Sequence, residues 1–528
     1  MDLLGYWTIG SGISRKMANS TQRFGTVGVL ILATSAAMRW ALCLSGGQYF
    51  LGDEHRYDRA VKLYLAFAGG KWADVRWVAS QPEHALFPWI GAVITVLQHG
   101  LAQFTRFGDW SKWENIDFTM PLAACVLSLF SVLNIYLVFQ ASLRAGGTRR
   151  EALWAAGLMA ASNTNLYYCR HLLQYDAALA LALGALVAAL GAAGRRRLMA
   201  AGVLAAAAYE TYNGYWFLVP LPILAAAWAA SPGAWVRQAI WVAAGVASGI
   251  SAVVLVGIFA GGAEYLKLMA GFSQSVTQGL YSEGWSLPWA YLWKSEGALG
   301  AAVVLGVAGL IVADYVRRRA MDTRIRLWLL MLGGAYGALV LFSVGLKIFV
   351  VYGRTTKALV PFLCLLGGWA INRIVGPRRL AATAVGLLLC ASLLGAFSLH
   401  LTRVYPLDVE INVLRRYGNP KRSLTVSGSL YRVLVQPVTR PDLALINAQL
   451  LFPIRGVIGA PAGRTLLRVE HALTYEPYQY EGFSPKERNA LRTTDISIRL
   501  IALASPSSVP DDLPLPLRYV NSDRPTGR

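Results

Sequence analysis

The chain has 528 residues, 55% of them hydrophobic and 15% charged, with a mean hydropathy of +0.45. That balance excludes an ordinary soluble globular protein and leaves a polytopic membrane protein. The formal net charge of +21 does not point to nucleic acid, because the basic residues fall in short clusters between apolar runs, where positive charge anchors cytoplasmic loops.

Taken in chain order, the runs that approach or reach the roughly 20 residues of a membrane-crossing helix begin with Val27 to Leu44. The basic residues Arg15, Lys16 and Arg23 precede this run, which lacks a small-residue cleavage site, so a retained first helix over about 25 to 45 is predicted rather than a cleaved signal. With the N-terminus cytoplasmic, residues 46–117 fall on the outer face. Within them Leu86 to Phe104 carries Gln98, His99 and Gln103 and is expected to be interfacial or re-entrant, because a full crossing would turn the later arginine clusters outward. Spans then run inward over Pro121 to Phe139, outward over Ala152 to Leu166, inward over Ala177 to Ala193 and outward over Leu198 to Tyr212. They continue inward over Trp216 to Ala229 and outward over Ala239 to Ala260, and a long outer loop rich in Tyr, Trp and Gly follows at 261–297.

The last crossings are expected over 298–314, 327–346, 358–374 and 380–399, giving about 11 to 13 transmembrane helices. This arrangement puts the clusters at Arg144, Arg149 and Arg150, at Arg195 to Arg197, at Arg317 to Arg326 and at Arg373 to Arg379 on the side of the N-terminus. Past His400 hydropathy falls, and the period-two stretches Ser423 to Val435 and Asp495 to Ile501 predict strands. The expected organisation is a transmembrane module over 1–401, a small extracytoplasmic α/β domain over 402–504 and a Pro-rich disordered tail over 505–528. Cys43, Cys125, Cys169, Cys364 and Cys390 lie in or beside apolar runs without metal-type spacing and read as buried small hydrophobes.

Four polar groups are expected to converge on the outer face: Asp53 to Asp58, Glu83 with His84, Arg170 to Asp176, and Lys347 to Lys357. Asp53 and Glu54 directly follow the first span, where ionised carboxylates are costly unless they serve a site, although a solvated loop end is the plain alternative. Asp176 opens an apolar run, so capping of a helix competes with function there. Arg170 could pair with Asp176 or with an anionic ligand. Lys347 and Arg354 sit on the outer side against the charge bias of the rest of the chain, and an anion explains both, with snorkelling the alternative for either alone.

Carboxylates and cations at a membrane surface suit transfer of a group from a lipid phosphate, one carboxylate taking the acceptor's proton while cations stabilise the departing phosphate. There is no Gly-rich nucleotide loop and no zinc motif of the HExxH kind. A transporter or flippase of a lipid-linked sugar would want similar groups, but also paired halves or broken helices, and no such symmetry is visible.

These pieces, in this order over residues 25–400, resemble the GT-C superfamily of integral-membrane glycosyltransferases, closest to the protein mannosyltransferases and lipid A aminoarabinose transferases of the family 39 type. The segment Gly52-Asp-Glu-His-Arg-Tyr-Asp-Arg-Ala60, followed by Gly69, Gly70 and Trp72, is similar to the family's Asp-Glu-x-x-Tyr-x-x-x-Ala and glycine. Gln81 to Trp89 stands where the family has a His- or Lys-Pro-Pro segment, with the second proline missing. Asn165 to Asp176 resembles the family's Arg, a short spacer, then Asp at the start of a helix, and Tyr352-Gly-Arg-Thr-Thr-Lys-Ala-Leu-Val-Pro361 its late Arg before a Pro-containing helix.

The resemblance implies a GT-C-like helical bundle in the plasma (inner) membrane of a bacterial envelope, with its active site outside. It implies an inverting transfer of a sugar from a polyprenyl-phosphate donor to a glycan, glycolipid or protein acceptor. Asp53 is then the general base, Glu54 and Asp176 orient the acceptor or a cation, and Lys347, Arg354 and Arg170 hold the donor phosphate. Arg56, Tyr57, Glu83, His84 and Tyr281 are expected to line the substrate site. Some members use a divalent ion (Mg or Mn) and others do not, so no cofactor is certain, and Asp53 and Asp176 are the ligands if one is used. The tyrosines of Tyr475 to Glu481 could stack on glycan or simply pack in the small domain.

Overall fold

The computed structural model describes residues 24–48, 55–104, 120–191, 194–231, 233–277, 287–310, 312, 316, 321–346, 353–373 and 378–402, together with six strands beyond them. The protein is a mainly helical membrane protein. Among the described residues three helical runs are long and apolar enough to cross a membrane: α1 (Gly25–Leu44), the 25-residue run Met120–Arg144 and α12 (Trp235–Gly261). The second of these is α5 (Met120–Leu127) and α6 (Leu129–Arg144), joined at Ser128.

Between α1 and α5 lie α2 (His55–Ala68), α3 (Trp72–Ala79) and α4 (Phe87–Gln103). The chain continues through α7 (Arg149–Ala161), the short α8 (Asn163–Tyr168), α9 (Tyr175–Leu190), α10 (Arg195–Thr211), a 3-10 turn at Asn213–Leu218, and α11 (Leu221–Ala229). After α12 come α13 (Ala263–Thr277), α14 (Leu287–Ala301), α15 (Thr323–Val340), α16 (Gly353–Thr356), α17 (Val360–Arg373), α18 (Arg379–Leu394) and α19 (Ala396–Thr402).

Burial sorts these helices. α9, composed almost wholly of Ala and Leu after its first two residues, and α17 are buried on nearly every face, as helices apolar all round must be. By contrast α12 exposes Ile240, Leu255, Val256 and Phe259, and α1 exposes Val27, Val29 and Leu30. Apolar faces of this kind are stable against hydrocarbon, where each helix satisfies its own backbone hydrogen bonds. α10 and α12 approach closely through Gly202 and Gly245, and a Cβ on Gly202 would lie 2.0 Å from the Val242 carbonyl oxygen.

The arginine clusters meet at one end of the bundle. Arg150 Nη2 donates to Thr383 Oγ1 (2.9 Å), Arg324 Nη1 to Glu151 Oε2 (2.5 Å), and Asn372 Nδ2 to Thr148 Oγ1 (3.0 Å). Arg197 Nη1 donates to the Gly191 carbonyl (3.0 Å), and Arg149 Nη2 reaches the Phe24 carbonyl (3.5 Å). The starts of α1, α7, α10, α15 and α18 and the ends of α6, α9 and α17 are thereby gathered together, as the charge pattern demands.

α4 does not run through this bundle. Its N-terminal side is tied to the far end of α10, where Leu86 N donates to the Glu210 carbonyl (3.0 Å). Near its other end Ala102 packs on Leu122 at the start of the Met120–Arg144 run. Both ends therefore sit away from the arginine end, and α4 lies across the bundle's opposite end.

Two expectations change. The segment 261–297 is helical on both sides of 278–286, in α13 and α14, and is not one long loop. The helix expected over 152–166 breaks at Ser162, whose hydroxyl accepts from Asn165 N (3.4 Å) and starts α8 anew.

Beyond Thr402 the described residues are strands. β1 (Arg432–Pro437), β2 (Leu443–Gln449), β4 (Gly463–Val469) and β5 (Ile498–Leu503) form an antiparallel sheet ordered β1-β2-β5-β4, irregular between Thr465 and Leu467. β3 (Val457–Ile458) pairs in parallel with β6 (Tyr519–Val520). The stretch 505–528, expected as a disordered tail, thus contributes one short strand. Tyr475 to Glu481 lies outside the described residues.

Candidate active site

Asp176 stands in the first turn of α9, but capping is not its task. Its Oδ1 accepts from Lys357 Nζ at 2.8 Å and from Asn134 Nδ2 of α6 at 3.2 Å, and Asn134 Nδ2 also reaches the Asp176 carbonyl at 3.1 Å. Lys357 follows α16 directly and is 0% exposed, while Asp176 is 4% exposed. Taking both charges out of water is costly, and the pair persists because each supplies the other's counter-charge in a dry setting. The Lys357 ammonium also lies 5.2 Å from the centre of the Tyr168 ring.

Arg354, one turn before Lys357, is half-buried, and its Nη1 donates to the Tyr175 hydroxyl (3.1 Å). Tyr175 starts a connected run of rings: it packs at 5.6 Å on Tyr168 and at 4.8 Å on Tyr212, and Tyr212 lies 5.3 Å from His84. Residues separated by more than a hundred positions in sequence are so joined into one aromatic wall.

The turn between α8 and α9 carries Arg170, which is fully buried. Its Nε donates to the Gly46 carbonyl (2.6 Å) and its Nη1 to the His400 carbonyl (2.5 Å), latching the ends of α1 and α19 together. His171 Nδ1 bonds the neighbouring Gly47 carbonyl, and Leu172 N donates to the Gln48 carbonyl (2.9 Å). Asp176 accordingly pairs with Lys357, while these carbonyl contacts hold Arg170.

α8 itself is held by α14. Glu296 is fully buried where α14 departs from helical geometry, and its carboxylate accepts from Ser162 Oγ (2.5 Å), Asn163 N (3.0 Å) and Thr164 N (2.7 Å). Tyr291 of the same helix hydrogen-bonds the Tyr168 hydroxyl at 2.9 Å. α14 therefore grips α8 at both ends and fixes the turn that bears Arg170, Tyr175 and Asp176.

Glu83 collects Arg56 (3.4 Å), Arg59 (3.3 Å) and His84 (3.6 Å). His84 has a positive φ of 52°, and it exchanges two hydrogen bonds with Asn213: His84 N donates to Asn213 Oδ1 (2.9 Å) and Asn213 N donates to His84 Nδ1 (3.2 Å). Glu83 and His84 thus reach the aromatic wall. Tyr57 does not line the site as expected; it is fully buried against Phe87 and Gly91, with its hydroxyl 3.2 Å from Thr95 Oγ1. The reason is periodicity: Tyr57 and Ala60 share the face of α2 that packs on α4.

Asp53, Glu54, Lys347 and Tyr281 lie outside the described residues. Both side chains on Asp176 Oδ1, the Lys357 ammonium and the Asn134 amide nitrogen, are hydrogen-bond donors, and Asp53, the other expected ligand of a divalent ion, is not among the described residues. Among the described residues no group of three or more His, Cys, Asp or Glu could hold a metal.

Lys357 enters the sequence pattern only as the end of the external cationic stretch, with nothing there to mark it as the partner of Asp176, and Asn134 and Glu296 carry no motif. Asn134 and Glu296, polar groups inside apolar helices, carry the general signal of an intramembrane site.

No protein-family model and no curated protein matches the chain. Two solved structures are similar to it. They are ArnT from Cupriavidus metallidurans in the apo state (TM-score 0.47, 16% identity) and the same protein bound to undecaprenyl phosphate (TM-score 0.46, 14% identity), each covering 74% of this chain and 73% of that one.

Proposed function

We propose that the chain is an inverting glycosyltransferase that moves a sugar from a polyprenyl-phosphate donor to a glycan, glycolipid or protein acceptor at the outer face of the plasma membrane. The observation that carries this reading is the buried Asp176–Lys357 pair with Arg354 beside it, at the end of the bundle opposite the arginine clusters. A dry, preorganised array of charge beside a half-buried guanidinium is what stabilises a departing phosphate without solvent reorganisation.

In the reaction, the acceptor's nucleophilic atom forms a bond to the anomeric carbon as the bond from that carbon to the phosphate oxygen breaks. Asp53 takes the acceptor's proton, and the bonding electron pair leaves with the lipid phosphate, which Arg354 and Lys347 receive. Asp176, held by Lys357 and Asn134, orients the acceptor side of the site together with Glu54. Arg170 keeps the surrounding turn in place, and the rings of Tyr175 and Tyr212 form a wall suited to a sugar face.

The deciding experiment is sugar transfer by purified protein in vesicles loaded with a polyprenyl-phosphate sugar. Asp53→Asn is expected to abolish transfer without loss of folded protein, and Arg354→Met to reduce it by about a hundredfold, the scale of losing one charge-stabilising donor. Wild-type transfer by Asp53→Asn overturns the base assignment. Movement of labelled lipid across vesicles without any acceptor would point instead to a flippase.

A further inference from the structure

Arg39 lies inside the membrane-crossing helix α1 and is fully buried. Its Nε donates to Ser131 Oγ of α6 (2.9 Å) and its Nη1 to the Ser35 carbonyl of its own helix (3.3 Å). Its Nη2 meets no partner, and no carboxylate pairs with it, among the described residues. Charged groups inside a span are expensive and are kept where they serve a pathway or a site.

Ser131 and Asn134 are three residues apart on α6 and so stand about 5–6 Å from each other on one helix face. Asn134 bonds Asp176 directly, which places Arg39 about one helical turn from the Asp176–Lys357 pair. Arg39 lies within electrostatic reach of both charged groups. Among the described residues Asp176 is already held by Lys357, so the buried Arg39 guanidinium has no carboxylate of its own. A buried cation of this kind is stabilised when an anion arrives.

We propose that Arg39 is an electrostatic positioning residue for an anionic phosphate bound at this end of the bundle, acting through the field of the Arg39–Asp176–Lys357 network rather than by contact. The inference rests on the lipid-phosphate reading above and assigns the missing charge to the donor's phosphate. One unit charge at about 10 Å in an effective dielectric of about 20 changes affinity by roughly tenfold.

The test compares binding of polyprenyl phosphate with binding of the uncharged polyprenol to the purified full-length protein. Arg39→Gln is expected to weaken phosphate-lipid binding about tenfold while alcohol binding stays unchanged, and Arg39→Lys to restore the preference. If Arg39→Gln does not fold, Ser131→Asp gives the guanidinium a carboxylate partner and neutralises it with Arg39 in place; the same loss of preference is expected. Equal weakening of both lipids, or an undiminished preference in the neutralised variants, overturns the proposal and leaves Arg39 a helix-packing residue. A wild-type protein with no preference for phosphate over alcohol overturns the lipid-phosphate reading itself.

Discussion

Lys357 and Asp176 respond differently to single and paired substitution. Lys357→Met alone strands a buried carboxylate and Asp176→Asn alone strands a buried ammonium, each expected to cost about 3–5 kcal/mol, read as thermal unfolding in detergent. The double variant is expected to recover most of that stability while sugar transfer stays lost, which separates folding from chemistry. At position 84 the positive φ tolerates Asn and Gly and excludes Val, because a β-branched side chain clashes in the left-handed region. Asn213→Ala deprives the His84 amide of its acceptor and is expected to cost about 1–3 kcal/mol by the same measurement. Asp176 was legible in the sequence, since a carboxylate opening an apolar run is conspicuous. Lys357 was not, because a lysine beside a helix start looks the same whether it snorkels to water or is buried against a partner 181 positions away.

Helix boundaries show where periodicity informs and where it fails. The spans around α1, the Met120–Arg144 run and α12 follow from uninterrupted apolar length, which needs no tertiary knowledge. α13 and α14 resemble a loop in the sequence because Tyr, Trp and Gly interrupt their apolar pattern. The break at Ser162 was read through because no Pro or Gly marks it, and the group that satisfies the new helix start, Glu296, comes from a distant helix. Glu296→Ala is expected to free the start of α8 and slow transfer more than it weakens donor binding, a split between kcat and KM. Gly202→Val would drive a side chain into the Val242 carbonyl and is expected to abolish monodisperse protein in size-exclusion chromatography, since α10 and α12 have no room to separate.

Among the described residues the molecule is polarised: the arginine clusters gather at one end, and the buried ion pair, latch and aromatic wall at the other. Charge clustering alone made this legible, because each cluster reports its side independently of the fold. The contacts that close the site were illegible for the opposite reason, as each joins helices whose pairing only the folded bundle decides. In a background lacking the native cysteines, a cysteine at position 55 is expected to react with an impermeant thiol reagent from outside intact cells and one at 148 only after permeabilisation; the reverse pattern would invert every span. The helix lying across the site end, with both its ends held there, also bears on reconstitution. Vesicles that accept the protein in either direction would expose this face on only about half of the molecules, so an impermeant acceptor should reveal a latent fraction of activity that appears when detergent opens the vesicles.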